Sequence, residues 1–414
     1  VRPAEFGEAK YQFIQRDARL LGTRRTFRKY GESGIEVSDL FPNIATCIDD
    51  IAVLRGCQGD MVVHSAAQYE LFSGRTVPGF PSMGSWMLYG LGAETQSLPA
   101  YVVMPDPKGA LEAGQPMYMQ GFLPAMYQPT MFRPGRRPVL NLELPAGIEP
   151  SQRRRTLQFI RDLNQETLDP GDAEFHARIN AYDVAFRMQS EAPEVLDLSK
   201  ESQETLDLYG IGKEPTHDYG RRCLLARKLV ENGVRFVCVV SGGGPGNLQW
   251  DAHGDIEENH LRKAAETDQP IAGLLKDLKA RGLLDTTLVV WVGEFGRTPQ
   301  IGTQDSTDGR NHWPVVMSMR SSGRSQPAIF STALGPTVRS PRRQAPPPST
   351  PRALRFHRSS TESFNCWSPH DQGVDHPRRQ GDAFAPDRLS HRAQPRHLVL
   401  LHLVSNEGRG PRAH

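Results

Sequence analysis

Four residues in the second half of the chain have types and spacing that suit a divalent metal ion. Asp251 and His253 stand two apart in Trp250-Asp251-Ala252-His253. Glu294 lies in Gly293-Glu294-Phe295-Gly296-Arg297-Thr298-Pro299, and His312 in Asp308-Gly309-Arg310-Asn311-His312-Trp313-Pro314. Carboxylate and imidazole together suit Zn²⁺ or Mn²⁺ better than Ca²⁺, which prefers oxygen ligands alone. The expected cofactor is a divalent metal, with zinc, manganese and calcium all open. Singly, each residue also reads as a solvated loop residue or a helix cap. Their joint placement after successive strands favours a shared ion.

The elements that must position them follow from apolar patterning. Residues 234–240 and 286–292 are apolar almost throughout and read as buried strands. Helical spacing marks 151–168, 173–189, a helix through Tyr219, Cys223, Ala226 and Val230 ended by Gly233, and another through Ile271, Leu274, Leu275 and Leu278 ended near Gly282. Earlier, 51–54 and 100–104 read as strands, and 64–72 as a helix stopped at Gly74. The rest of 75–150, rich in Gly, Pro and Met, reads as long surface loops. This alternation predicts an α/β fold, a mostly parallel sheet with helices on both faces, and ligands bound outside the carboxyl ends of its strands. Gly242-Gly243-Gly244 lacks phosphate-loop spacing and reads as a plain loop, with a backbone anion cradle as the alternative.

Composition narrows the class. A chain of 414 residues with 38% hydrophobic residues and 38 glycines suits one large α/β domain or two smaller ones. No apolar run approaches the roughly 18 residues a membrane helix needs. Five cysteines, none in Cys-x-x-Cys pairs, point to neither a disulfide framework nor a zinc ribbon. The net charge of +2 hides a break. Residues 321–414 hold 14 Arg, no Lys and 6 acids, with 12 of the 33 Pro and 7 of the 13 His. The sequence therefore divides into 1–319 and an Arg/Pro-rich tail, 320–414. Three readings of the tail stay open: a segment translated out of frame, which the missing Lys favours, a flexible linker, or a basic nucleic-acid-binding arm. On each of them no packed core is expected beyond 320, and apolar patterning returns only near Leu398. The opening Val1-Arg2-Pro3-Ala4-Glu5 shows no signal-peptide pattern and reads like the middle of a sequence.

The segments Gly34-Ile35-Glu36-Val37-Ser38, His64-Ser65-Ala66-Ala67-Gln68, Pro81-Ser82-Met83-Gly84-Ser85-Trp86, 293–299 and 309–314 resemble the domain of unknown function numbered fifteen hundred and one, a bacterial family abundant in planctomycetes. The resemblance spans roughly 25–319. It implies the alkaline phosphatase and sulfatase superfamily, a metal-dependent hydrolase of phosphate or sulfate esters, and a periplasmic or exported setting. Small-molecule or polysaccharide esters would be the substrates, with nucleic acid disfavoured. A non-catalytic exported binding or surface protein on the same fold is the alternative.

Asp251 and His253 match the family's Trp-Asp-x-His. His312 matches Gly-Arg-Asp-His, with Asn311 in place of the Asp. Glu294 stands where the superfamily has an Asp-His pair. Leu71-Phe72-Ser73-Gly74-Arg75 resembles the sulfatase Leu-Leu-Thr-Gly-Arg, which puts the nucleophile position on His64. A sulfatase needs Cys or Ser there, so the resemblance assigns attack or proton movement to His64 or the adjacent Ser65. Arg297 is assigned as an anion clamp, with a structural ion pair as the alternative. The family's twin-arginine signal, its Gly-Gly-Pro-Ser-His-x-Asp carboxylate motif and its late His-Asp-Leu-His segment have no counterpart in the sequence.

Overall fold

The computed structural model describes residues 19–135, 137–139, 142, 144, 147–167, 173–242, 250–302, 307–314, 317–323 and 395–403. By contacts the chain splits into two units. One comprises residues 1–340 and 393–414, and the other, 341–392, lies outside the described residues.

In chain order the first unit carries a hairpin of β1 (Phe27–Tyr30) and β2 (Ile35–Ser38), the short helix α1 (Pro42–Ala45), β3 (Ile51–Cys57), α2 (His64–Ser73), α3 (Met83–Leu91), β4 (Tyr101–Met104) and β5 (Thr130–Met131). Helices α4 (Pro150–Thr167), α5 (Ala173–Leu196), α6 (Gln203–Leu208) and α7 (His217–Glu231) follow. The remainder is β6 (Phe236–Ser241), α8 (Ile256–Ala280), β7 (Thr287–Val292), the two-residue strands β8 (Gly296–Arg297) and β9 (His312–Trp313), β10 (Met317–Ser322) and β11 (His397–Leu403).

Seven strands form one sheet in the order β3-β10-β7-β11-β6-β4-β5. Pairings among β7, β11, β6, β4 and β5 are parallel, and β10 alone runs against both its neighbours. Two cores lie on opposite faces because side chains alternate along a strand. Val237, Val239, Val289, Trp291, Val399 and Leu401 pack into one with α7 and α8. Phe236, Cys238, Val240, Leu288, Val290 and Leu400 pack into the other with α2 and α3. The expected α/β fold with a mostly parallel sheet covered on both faces is therefore present. Strands buried on both sides have no polar face to show, hence their unbroken apolar reading.

Two differences from the sequence reading matter. The 75–150 segment contains α3, started by the Ser82 side chain accepting from the Ser85 N–H. The expectation of no packed core beyond 320 is corrected at both ends of the tail. Strand β10 extends to Ser322, and β11 lies between β6 and β7 with Val399, Leu400 and Leu401 at 1% exposure or less. A seven-residue strand with five apolar residues fits between two parallel strands whatever the composition of the chain leading to it. Residues 324–394, the bulk of the Arg/Pro-rich tail, lie outside the described residues, as do Gly243 and Gly244. The four described cysteines are free and buried. No helix among the described residues is long and apolar enough to cross a membrane.

Candidate metal centre

Strands β3, β6 and β7 point the same way, so the segments that follow them meet at one sheet edge. After β3 the chain enters α2, whose first residue is His64. The segment from β6 to α8 carries Asp251 and His253. Glu294 directly follows β7, and β8 pairs antiparallel with β9 so that Arg297 lies opposite His312.

Backbone hydrogen bonds tie these segments together. The Arg310 N–H donates to the Ala252 carbonyl at 2.9 Å, Thr298 N–H to the Asn311 carbonyl at 2.9 Å, and Gly59 N–H to the Pro314 carbonyl at 2.9 Å. Gly309 sits directly against the His253 carbonyl, where any Cβ would collide. Asp255, at φ 51°, takes a left-handed turn that carries the chain from His253 into α8. The rings then hold one another. His64 meets His312 edge-on at 4.3 Å, and Phe295 stacks obliquely on His312 at 4.5 Å and on His64 at 4.8 Å.

One ligand atom from each of His64, Asp251, His253 and His312 can be chosen so that all four lie within 4.8 Å of one another. The tightest three form a triangle. His253 Nε2 is 3.0 Å from His312 Nε2 and 3.1 Å from Asp251 Oδ1, and His312 Nε2 is 3.4 Å from the same oxygen. Zinc bonds of about 2.0–2.1 Å in a tetrahedron put neighbouring ligand atoms about 3.3–3.4 Å apart. The triangle thus has nearly the size of one tetrahedral face. His64 Nε2 approaches the other carboxylate oxygen, Asp251 Oδ2, at 3.2 Å.

The partners behind the rings set their tautomers. His312 Nδ1 lies 2.6 Å from the Val62 carbonyl, which can only accept, so Nδ1 carries the proton and Nε2 keeps its lone pair for the site. His64 Nδ1 donates to Glu294 Oε1 at 2.6 Å, leaving Nε2 aimed at Asp251. Imidazole held from behind by a carboxylate or carbonyl is the usual arrangement of metal-bound histidine.

Charge balance agrees. Burial alone would lower the His64 pKa, but hydrogen bonds to Asp251 and Glu294 and their charges outweigh it and raise it to about 9. Burial would raise Asp251, yet the Arg297 cation and the surrounding His253, His312 and His64 rings hold it far below the usual carboxylate range. Burial also opposes ionisation of Glu294, and His64 overcomes it, leaving the pKa lowered. His312 is pushed down, chiefly by burial. The donor set, three imidazoles and a carboxylate, fits a zinc-type ion and is poor for calcium.

Of the residues singled out by sequence, Asp251, His253 and His312 come together. Glu294 lies one step behind, against His64. The Arg297 guanidinium bonds Asp251 Oδ1 and lies 5.4 Å over the Phe295 ring. Ser65 is half-buried on α2, next to His64. Sequence reasoning placed His64 among proton-moving groups and did not group it with the ligands. It missed His402 on β11, fully buried, whose Nε2 is 3.8 Å from Glu294 Oε2 and whose pKa burial lowers to about 4. Its only sequence signal was the short apolar run around it. It also missed Gly309, which stands unremarked in the Asp-Gly-Arg-Asn-His string.

Fold and site define an α/β protein with an imidazole–carboxylate centre at the carboxyl edge of its sheet. The family described as Protein of unknown function (DUF1501) matches residues 3–323, most of the chain, and the chain belongs to that family. No curated protein and no solved structure matches it.

Proposed function

We propose that this chain is a metal-dependent hydrolase of phosphate or sulfate esters, with Asp251, His253 and His312 holding one divalent ion and His64 moving the proton. The observation that carries the reading is the triangle of ligand atoms with edges of 3.0, 3.1 and 3.4 Å, the size of one face of a zinc tetrahedron. Three protein ligands leave a coordination position open, as catalytic zinc sites do. When bound, the ion supplies Lewis-acid polarisation of the ester and a more acidic water.

The remaining roles belong to the chain. Glu294 orients the His64 ring through Nδ1 and holds Nε2 beside Asp251, the relation of a proton-moving imidazole and its orienting carboxylate in acid–base catalysis. Arg297 holds Asp251 in register and supplies a cation for the ester oxyanion. Ser65, one residue along α2, is the alternative attacking group. His253, with 32% of its side chain exposed against 2% for Asp251, is the ligand facing the entrance. The motif resemblance supports an alkaline phosphatase or sulfatase type of substrate, a small-molecule or polysaccharide ester, and an exported setting. Turnover should be slow, because one ion cannot clamp both the attacking and the leaving oxygen.

A second reading is favoured by the mutual reach of all four donors. If His64 also ligates, the tetrahedron is closed and the protein holds its metal without hydrolysis. Metal content and the visible spectrum of the Co²⁺-substituted chain, beside turnover of aryl phosphate and aryl sulfate, separate the two. The hydrolase reading expects one ion per chain, exchangeable water on Co²⁺, and slow turnover that vanishes in His253→Ala. A closed four-coordinate spectrum with no turnover supports the second. A chain that takes up no metal sinks both.

A further inference from the structure

A cavity lies beside the metal centre, and none of His64, Asp251, His253 and His312 lines it. It has a volume of about 670 Å³, within the range of small-molecule sites. Residues at the carboxyl ends of β7 and β11 help to form it, as do the β1–β2 hairpin and the start of α8.

Its walls combine flat rings with an excess of cationic side chains. Phe41 stacks near-parallel to Trp250, at 6.5 Å and 19°, and meets Trp291 edge-on at 5.3 Å. Four arginines line the cavity against two glutamates, and one of those, Glu257, is already bonded to Arg25. Arg310 is spoken for by the Thr298 and Arg297 carbonyls, at 2.6 and 2.7 Å. Arg55 and Arg320 are different. Among the described residues neither forms an ion pair with a carboxylate.

The strand register explains why they face the same space. Arg55 pairs with Ser318 and Arg320 with Val53 across β3 and β10, so the two guanidinium-bearing residues are diagonal neighbours on one sheet face. Arg320 is held in place by Trp291, with its guanidinium carbon 4.6 Å from the ring centroid. Burial, then the charge of Arg55, lowers the Arg320 pKa. Like charges so placed repel across a sheet, and an anion between them would remove the repulsion while forming charge-assisted hydrogen bonds.

We propose that this cavity binds a ring-borne acid, its carboxylate, sulfate or phosphate group between Arg55 and Arg320 and its ring against Phe41 and Trp291. The site is independent of the metal centre and of any hydrolysis there. The ring can be aromatic or a sugar, since both offer a flat face to an aromatic side chain.

Calorimetric titration of the full-length, metal-stripped chain tests this with naphthalene-2-sulfonate for the aromatic source and glucuronate for the sugar source. Neutral 2-naphthol and inorganic sulfate serve as the ring and the anion alone. Binding is expected for at least one ring-borne acid, with each control about tenfold weaker or worse. The loss of one charge-assisted contact should weaken that acid about tenfold in Arg320→Met and in Arg55→Met, and His253→Ala should leave it unchanged. Should Arg320→Met fail to fold, the exposed Arg55→Met carries the measurement. The proposal is overturned if neither acid binds, if 2-naphthol binds as well as the sulfonate, if binding survives both arginine substitutions, or if it is lost in His253→Ala.

Discussion

Gly309→Ala tests the metal centre through its scaffold without touching a ligand. A Cβ at 309 would collide with the His253 carbonyl and lie 2.6 Å from the Gly254 nitrogen. Restoring an ordinary separation of about 3.4 Å from that nitrogen alone requires a displacement of roughly 0.8 Å, and overpacking of this kind costs about 1–3 kcal/mol. Metal–ligand distances tolerate only about ±0.2 Å. The segment carrying Asp251 and His253 is also tied to the 309–310 loop by the Arg310 N–H at 2.9 Å, so a movement of 309 reaches both ligands. Zinc affinity of Gly309→Ala, measured by competition with a chromogenic chelator, should fall about a hundredfold or more, near the loss expected of His253→Ala. The sheet core is remote from this contact, so far-UV circular dichroism and a cooperative melt should persist. A folded Gly309→Ala chain that binds zinc as tightly as the parent would refute the reasoning, and would mean that the 250–255 segment relaxes without moving His253 Nε2.

Three further outcomes follow from the same geometry. Glu294→Gln keeps size but weakens the acceptor for His64 Nδ1, so turnover should drop about 10–100-fold while metal affinity in the chelator competition is kept; a 10–100-fold loss of metal affinity would instead show that His64 ligates the ion. His260 has its pKa lowered to about 4 by burial and by the Arg297 and Arg310 charges. Its folded-state value lies below the unfolded one, so the unfolded chain takes up the proton first. Stability should be full above about pH 6.5 and fall by on the order of 2 kcal/mol towards pH 4, allowing for partial exposure; the urea midpoint of the parent should fall relative to that of His260→Gln across that window, and parallel curves would contradict the assignment. Leu400→Ala removes a core side chain of β11 at 1% exposure and should cost about 2–5 kcal/mol in urea unfolding; a cost well under 1 kcal/mol would mean that 397–403 does not hold the centre of the sheet.

Much of the frame was legible because it is local. The apolar runs at 234–240 and 286–292 dictate strands buried on both faces, and they are β6 and β7. Gly74, at φ 69°, ends α2 where a left-handed residue is needed. Aspartate and histidine two apart after one strand, and a histidine after the next, are three of the four residues that the fold gathers into a candidate metal group, because residue type limits which atoms can ligate. Tertiary structure alone decided the rest. His64, 187 positions before Asp251, becomes a neighbour only when β3 and β6 run the same way. Glu294 looks like a ligand in the sequence, but the position of α2 interposes His64 and turns the carboxylate into its support. The seven residues of β11 carry a strand pattern yet no address. Their place between β6 and β7 comes from non-local parallel pairing, which no window of neighbouring residues encodes.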